Sequence, residues 1–178
     1  MRDVWVNRAP VLTLWGAVVA RRLGYDEDEA LTLGRAVAGR TAAAKGKRLG
    51  IYSGKTPAAA EALCEQRRAL GALLVPFMGR TIPCLKTPEG LRPLDETRPA
   101  DPEAVRHYLA VKFGDALVNV RESLETLAAT YSPKDLERSA MDLYMTFRPS
   151  GSSGVSGWGQ RGRLDLEAID RLAASRRS

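Results

Sequence analysis

Pro76, Pro83 and Pro88 interrupt an apolar stretch that lies between segments with helical periodicity. A proline inside a helix removes a backbone donor and collides with the preceding turn, so no helix can run through this stretch. The apolar residues here predict short strands instead, at sheet edges where proline is tolerated. Turns are predicted at 78–79 and 87–90, which gives one or two β-hairpins.

Three helices are predicted before these strands, over residues 7–24, 26–45 and 56–70. Asp26 and Glu29 form a capping box at the start of the second helix. A Thr-Pro pair is typical of the start of a helix and opens the third. Three helices followed by a hairpin is the order of elements in a winged helix.

Helical patterns return after a linker at 95–101. Apolar and aromatic residues with a 4-3-4-3-4 spacing indicate a seam that packs along another helix: Phe113, Leu117, Val120, Leu124, Leu127 and Tyr131. A glycine-rich loop at 149–163 surrounds Trp158 and precedes a short last helix. The sequence therefore predicts a mainly α protein, with a winged-helix-like three-helix and β-hairpin domain over 1–94 and a helical domain over 101–178.

Positive charge is concentrated between Glu29 and Glu61, where the chain has no acidic residue. The cations of this window equal the formal net charge of the whole chain, +6: Arg35, Arg40, Lys45, Lys47, Arg48 and Lys55. The window is also rich in glycine and alanine, which let another backbone approach closely. A basic surface of small residues indicates contact with a polyanion, and nucleic acid is the leading hypothesis, with DNA favoured over RNA.

The charges of the window do not form one stripe on a helical projection. The compact cationic turn at 45–48 is the strongest phosphate-contacting feature. In a winged helix, Gln66 and Arg67 of the third helix would reach base edges, and Arg80 would contact phosphates from the wing. The alternative is that these are ordinary solvated side chains.

A second hypothesis concerns the glycine-rich loop and the seam at 113–131. The loop either presents Trp158, Arg161 and Arg163 to a partner or fastens the last helix onto the body of the protein. In the first case the protein would be an interaction adaptor, or a module that associates with itself.

The chain offers little for catalysis. Leu49 occupies the place where a phosphate-binding loop ending in Gly54-Lys55 needs a glycine, so nucleotide hydrolysis is not expected. Cys64, Cys84 and a single histidine are too few for a zinc site. We therefore expect a non-enzymatic protein without metal or cofactor.

The longest apolar run is shorter than the roughly 20 residues that a membrane span requires, so no membrane association is expected. No targeting segment is visible in the sequence. The cytoplasm is the expected location.

Two segments resemble members of an uncharacterised bacterial protein family. One is the run Asn7-Arg8-Ala9-Pro10-Val11-Leu12-Thr13-Leu14-Trp15, and the other is the tail Phe147-Arg148-Pro149…Gly157-Trp158-Gly159. The resemblance covers both ends of the chain. It implies no activity.

Overall fold

The protein is described by a computed structural model over residues 2–50, 54–151 and 161–178. Its helices in these ranges are α1 Arg8–Arg22, α2 Glu27–Arg48, α3 Pro57–Ala69, α4 Pro102–Phe113, α5 Leu117–Ala129, α6 Pro133–Phe147 and α7 Leu166–Arg177. Its strands are β1 Asp3–Val6, β2 Leu73–Phe77, β3 Arg80–Thr87, β4 Gly90–Asp95, β5 Arg98–Pro99 and β6 Gly162–Asp165. The prediction of a mainly helical protein with a small antiparallel sheet is confirmed. None of the described helices is both long and apolar enough to cross a bilayer.

Helices α1 and α2 form a tightly packed pair at the centre of the molecule. The middle of α1, from Pro10 to Ala20, is buried throughout. Backbone meets backbone where Gly16 faces Gly34: a Cβ on Gly16 would lie 2.7 Å from the Gly34 Cα. Helices approach this closely only where both lack a side chain.

The start of α2 is the capping box that the sequence predicts. Asp26 Oδ1 accepts a hydrogen bond from the Glu29 N–H at 2.8 Å, and Glu29 Oε1 accepts one from the Asp26 N–H at 3.0 Å. The helix runs past the predicted end, through Gly46 to Arg48. A glycine inside a helix costs only about 1 kcal/mol relative to alanine, and the good helix formers around Gly46 outweigh this cost.

The strands β2 to β5 form an antiparallel meander in chain order. Met78 and Gly79, with φ of +50° and +78°, make a two-residue turn between β2 and β3, as a type I′ turn requires. The sheet is attached to the start of α2, because the Leu91 N–H donates to Glu29 Oε2 at 2.9 Å. Glu29 thus serves the helix cap and the sheet together.

The C-terminal helices pack around α1. Trp15 has no exposed surface, and its Nε1–H donates to the Ala140 carbonyl of α6 at 2.8 Å. The rings of Trp15 and Phe147 meet edge to face with centroids 5.3 Å apart. Strand β1 pairs with β6, from Asp3 opposite Asp165 to Val6 opposite Gly162, which joins the two ends of the described chain.

The predicted helical seam lies inside the molecule. Val120, Leu124 and Leu127 are fully buried and belong to the same core as α1, so these side chains pack within the chain itself. The helix breaks at Gly114, which ends α4 with a φ of +55°. Because residues on both sides of the predicted 94–101 boundary build this core, the division into two domains stays a prediction.

Candidate functional site

A large cleft opens between α2 and α3. Its volume is about 1050 Å³, and the β4–β5 region and α4 complete its lining. Pockets of about 300–1,000 Å³ are typical of small-molecule sites, so this cleft is slightly larger than that range.

One face of α2 forms the first wall of the cleft. The residues that line it recur every three or four positions: Thr32, Arg35, Ala36, Gly39, Arg40, Ala43, Ala44 and Lys47. At 100° per residue, Thr32, Ala36, Gly39 and Ala43 lie along the middle of this face. Arg35 borders them on one side, and Lys47 and Arg40 border them on the other. The wall is therefore a shallow apolar strip bordered by long cations.

Helix α3 forms the opposite wall and contributes nothing to the core, since none of its residues is buried. It lines the cleft with one helical stripe: Ala60, Leu63, Cys64 and Arg67. Two polar contacts connect this part of the chain to the turn between β4 and β5. Arg67 Nε–H donates to the Glu96 carbonyl at 2.8 Å, and Lys55 Nζ pairs with Glu96 Oε1 at 3.3 Å.

The cleft carries an excess of positive charge. Its cations are Arg35, Arg40, Lys47, Lys55, Arg67 and Arg98, and its acids are Asp95, Glu96 and Asp101. Among the described residues, Lys55 is the only one of these cations in an ion pair. Asp101 is already used as a cap, because its Oδ1 accepts from the Glu103 N–H at 3.0 Å.

Like charges are held close together around Arg40. Burial lowers the pKa of the Arg40 guanidinium, and the charges of Arg67 and Arg80 lower it further. A group is shifted in this way when its charged form is surrounded by the same charge and shielded from water. An anion bound between Arg40 and Arg67 would relieve the repulsion.

Tyr108 of α4 gives the cleft an aromatic surface. The Arg35 guanidinium carbon lies 4.3 Å from the Tyr108 ring centroid, which is a cation–π contact. Burial raises the pKa of Tyr108, although the charge of Arg35 opposes this shift. The hydroxyl therefore stays neutral at physiological pH and can donate a hydrogen bond.

The structure does not bring all the predicted nucleic-acid residues to one surface. Five of them line the cleft: Arg35, Arg40, Lys47, Lys55 and Arg67. Arg80 lies within electrostatic range of Arg40. Lys45 lies instead near Arg48, Arg8 and Arg148. Gln66 is exposed on α3 but is not part of the cleft lining.

The predicted partner-binding loop is described only in part. Trp158 lies outside the described residues. Arg161 is exposed, and Arg163 of β6 pairs with Asp3 of β1 at 3.3 Å. Partner binding by these residues stays a prediction.

Among the cleft residues that sequence reasoning missed are Arg98 and Tyr108. Both are far from the basic window in sequence and are brought to it by β5 and α4. The apolar strip of the α2 wall was also missed, although the sequence contains its pattern. Small residues recur there with a 4-3-4 spacing on one face of a helix: Thr32, Ala36, Gly39 and Ala43.

The two cysteines should differ sharply in reactivity. Cys64 is exposed at the cleft, whereas Cys84 is buried, and burial raises the pKa of the Cys84 thiol to about 11. The thiolate is the reactive form, so at pH 8 iodoacetamide should label only Cys64 in the native protein and both cysteines in guanidinium chloride. Peptide mass spectrometry measures the sites. Rapid native labelling of Cys84 would contradict its burial.

Comparison of the chain with protein-family models, with curated proteins and with solved structures gives no match. The function must therefore be argued from the cleft itself. The feature to be explained is a concave surface with cations on both long walls and an apolar strip along the α2 wall.

Proposed function

We propose that the protein binds single-stranded nucleic acid in the cleft between α2 and α3. The observation that carries this proposal is the convergence of Arg40, Lys47 and Arg67 from two helices, none of them in an ion pair among the described residues. Their charge supports contact with a strand of phosphates.

The shape of the site favours a single strand over a duplex. A duplex presents its phosphates on a convex surface, whereas these cations line a concave one. Proteins that bind single strands without strong sequence preference combine a positive groove with aromatic side chains on which bases stack. Tyr108 and its stacked partner Arg35 supply such a surface, and the small residues of α2 leave room for bases beside it.

Binding should be strongly salt-dependent. Each phosphate neutralised on a single strand contributes about −0.7 to the slope of log affinity against log salt. Replacing both Arg40 and Lys47 by alanine should therefore make the slope shallower by about 1.4 and weaken binding about tenfold or more at 100 mM salt. Fluorescence anisotropy of a labelled 15-nucleotide thymidine strand, titrated at several KCl concentrations, measures both quantities.

The matched control is the double variant Lys134→Ala/Arg138→Ala. It removes the same charge from the exposed face of α6, away from the cleft. Its affinity and salt slope should equal those of the wild type. The proposal fails if the wild type does not bind the strand at 50 mM KCl, or if the control variant loses as much affinity as the cleft variant.

Cys64 provides an independent measurement of occupancy. It is exposed and lines the cleft, so a bound strand should slow its alkylation by iodoacetamide. Protection that appears for the wild type and disappears for Arg40→Ala/Lys47→Ala would place the strand at this site. A strand that binds without slowing the reaction would bind elsewhere.

A winged-helix mode is the competing proposal for some of the same residues. In that mode α3 enters the major groove of a duplex, Gln66 reaches base edges and Arg80 contacts phosphates from the sheet. It predicts that Gln66→Ala weakens duplex binding. Binding in the cleft predicts that Gln66→Ala changes nothing, since Gln66 is not among the lining residues.

A further inference from the structure

A second group of cations lies on the face of α2 that is opposite the cleft. At 100° per residue, Thr41, Lys45 and Arg48 fall on the same side of α2 as Gly34, the residue that touches α1. This stripe leads along α2 toward the first turn of α1. Arg8 begins α1 there, and Arg148 directly follows α6.

Several contacts bring the ends of α1 and α6 together beside this stripe. Arg8 Nε–H donates to the Pro149 carbonyl at 3.0 Å, and the Tyr144 hydroxyl donates to the Arg8 carbonyl at 3.3 Å. Burial lowers the pKa of Lys45, and the charges of Arg8, Arg148 and Arg48 lower it further. Burial and then the charge of Arg8 likewise lower the pKa of Arg148.

No carboxylate neutralises this group. None of the ion pairs among the described residues includes Arg8, Lys45, Arg48 or Arg148. The side chains of Arg8 and Arg148 donate to neutral acceptors, the Pro149 carbonyl and Met145 Sδ, the latter at 3.5 Å. The sequence outside the described ranges contains no Asp or Glu. Lys45 lies within electrostatic range of the other three cations, and like charges without a counter-charge repel one another and are stabilised by an anion.

A buried hydroxyl points to the same place independently. Thr41 Oγ1 is buried and has no hydrogen-bond partner in the part of the chain that the structure describes. Buried polar atoms are almost always paired, so this one requires an explanation. Thr41 lies one turn before Lys45 on the same face of α2, so a ligand oxygen that displaced the atoms covering the hydroxyl could accept its proton.

We propose that Arg8, Lys45, Arg48 and Arg148, together with the Thr41 hydroxyl, form a site for a phosphoryl group, separate from the cleft. Arginine presents parallel N–H donors that match the oxygens of phosphate, and several cations suit a dianion better than a monovalent carboxylate. This proposal is independent of strand binding in the cleft, so either can fail alone.

The test uses pyrophosphate and thermal unfolding. At saturation, pyrophosphate should raise the Tm of the wild type by about 5 °C over NaCl of equal ionic strength. Lys45→Ala/Arg148→Ala should abolish this rise while leaving the Tm of the free protein unchanged or higher, since it removes repelling charges. Arg40→Ala/Lys47→Ala should keep the full rise, because both residues lie on the cleft face.

Thr41→Val separates binding from folding. Valine keeps the shape of threonine and removes the unpaired hydroxyl, so the free protein should be at least as stable as the wild type. Its affinity for pyrophosphate, measured by calorimetry, should fall about fivefold. The proposal is overturned if pyrophosphate does no more than NaCl, if its effect survives Lys45→Ala/Arg148→Ala, or if Thr41→Val binds as tightly as the wild type.

The source of the phosphoryl group is decided by competition. If a strand with a 5′-phosphate displaces pyrophosphate and the same strand without that phosphate does not, the site binds the end of a nucleic acid. Failure of both strands to compete assigns it to a small phosphorylated molecule.

Discussion

Gly34→Ala should destabilise the protein by about 3 kcal/mol or more, because the added methyl has no room. A Cβ at Gly34 would overlap the Thr13 carbonyl oxygen and lie 2.7 Å from the Ala17 nitrogen. Both obstacles belong to the backbone of α1, which cannot rotate away as a side chain can. The higher helix propensity of alanine returns only about 1 kcal/mol. Urea denaturation followed by circular dichroism measures the difference.

Gly39→Ala is the matched control on the same helix. A Cβ at Gly39 meets no atom within 4 Å, because it points into the cleft. This substitution should leave the protein equally stable or stabilise it by up to about 1 kcal/mol. Equal effects of the two substitutions would show that α1 and α2 are not in backbone contact.

Trp15→Ala should cost about 3–5 kcal/mol, as is usual when a large buried side chain is removed from a core. Trp15 has no exposed surface and fills the space between α1 and α6, against the ring of Phe147. Trp15→Phe retains most of the apolar volume but loses the hydrogen bond to Ala140, so it should cost about 2 kcal/mol. Denaturant midpoints measured by circular dichroism rank the variants.

Trp5→Phe is the comparison at the surface. Trp5 is 61% exposed on β1, so its replacement should change the free energy of unfolding by no more than about 0.5 kcal/mol. If Trp15→Phe were as mild as Trp5→Phe, the buried hydrogen bond between α1 and α6 would be absent in solution.

Local chemistry accounts for most of what the sequence predicts correctly. The third predicted helix starts with the expected Thr56 cap, whose side-chain oxygen accepts from the Ala59 N–H at 3.2 Å. The strands follow from prolines that exclude a helix, but the predicted edge position is wrong for Pro83, which lies in the inner strand β3. These features depend on residues within a few positions of each other, which a sequence shows directly.

The composition of the site depends on packing and could not be predicted in the same way. Lys45 and Lys47 are two positions apart, yet Lys47 lies in the cleft and Lys45 lies beside Arg8 and Arg148. The contact between Gly16 and Gly34 fixes which face of α2 packs against α1. That orientation determines where the side chains of Lys45 and Lys47 lie. Tyr108 reaches the cleft only through the tertiary position of α4, and no local pattern reports that position.

The glycine contact also determines how the cleft can change its width. Helix α2 cannot slide or rotate against α1 without forcing backbone into backbone at Gly16 and Gly34. Helix α3 buries no residue, and Arg67 connects it to Glu96 by a polar contact at the surface. The α2 wall of the cleft is therefore fixed, whereas the α3 wall can be displaced. A ligand wider than the present opening would be admitted by displacing α3, with the core left intact.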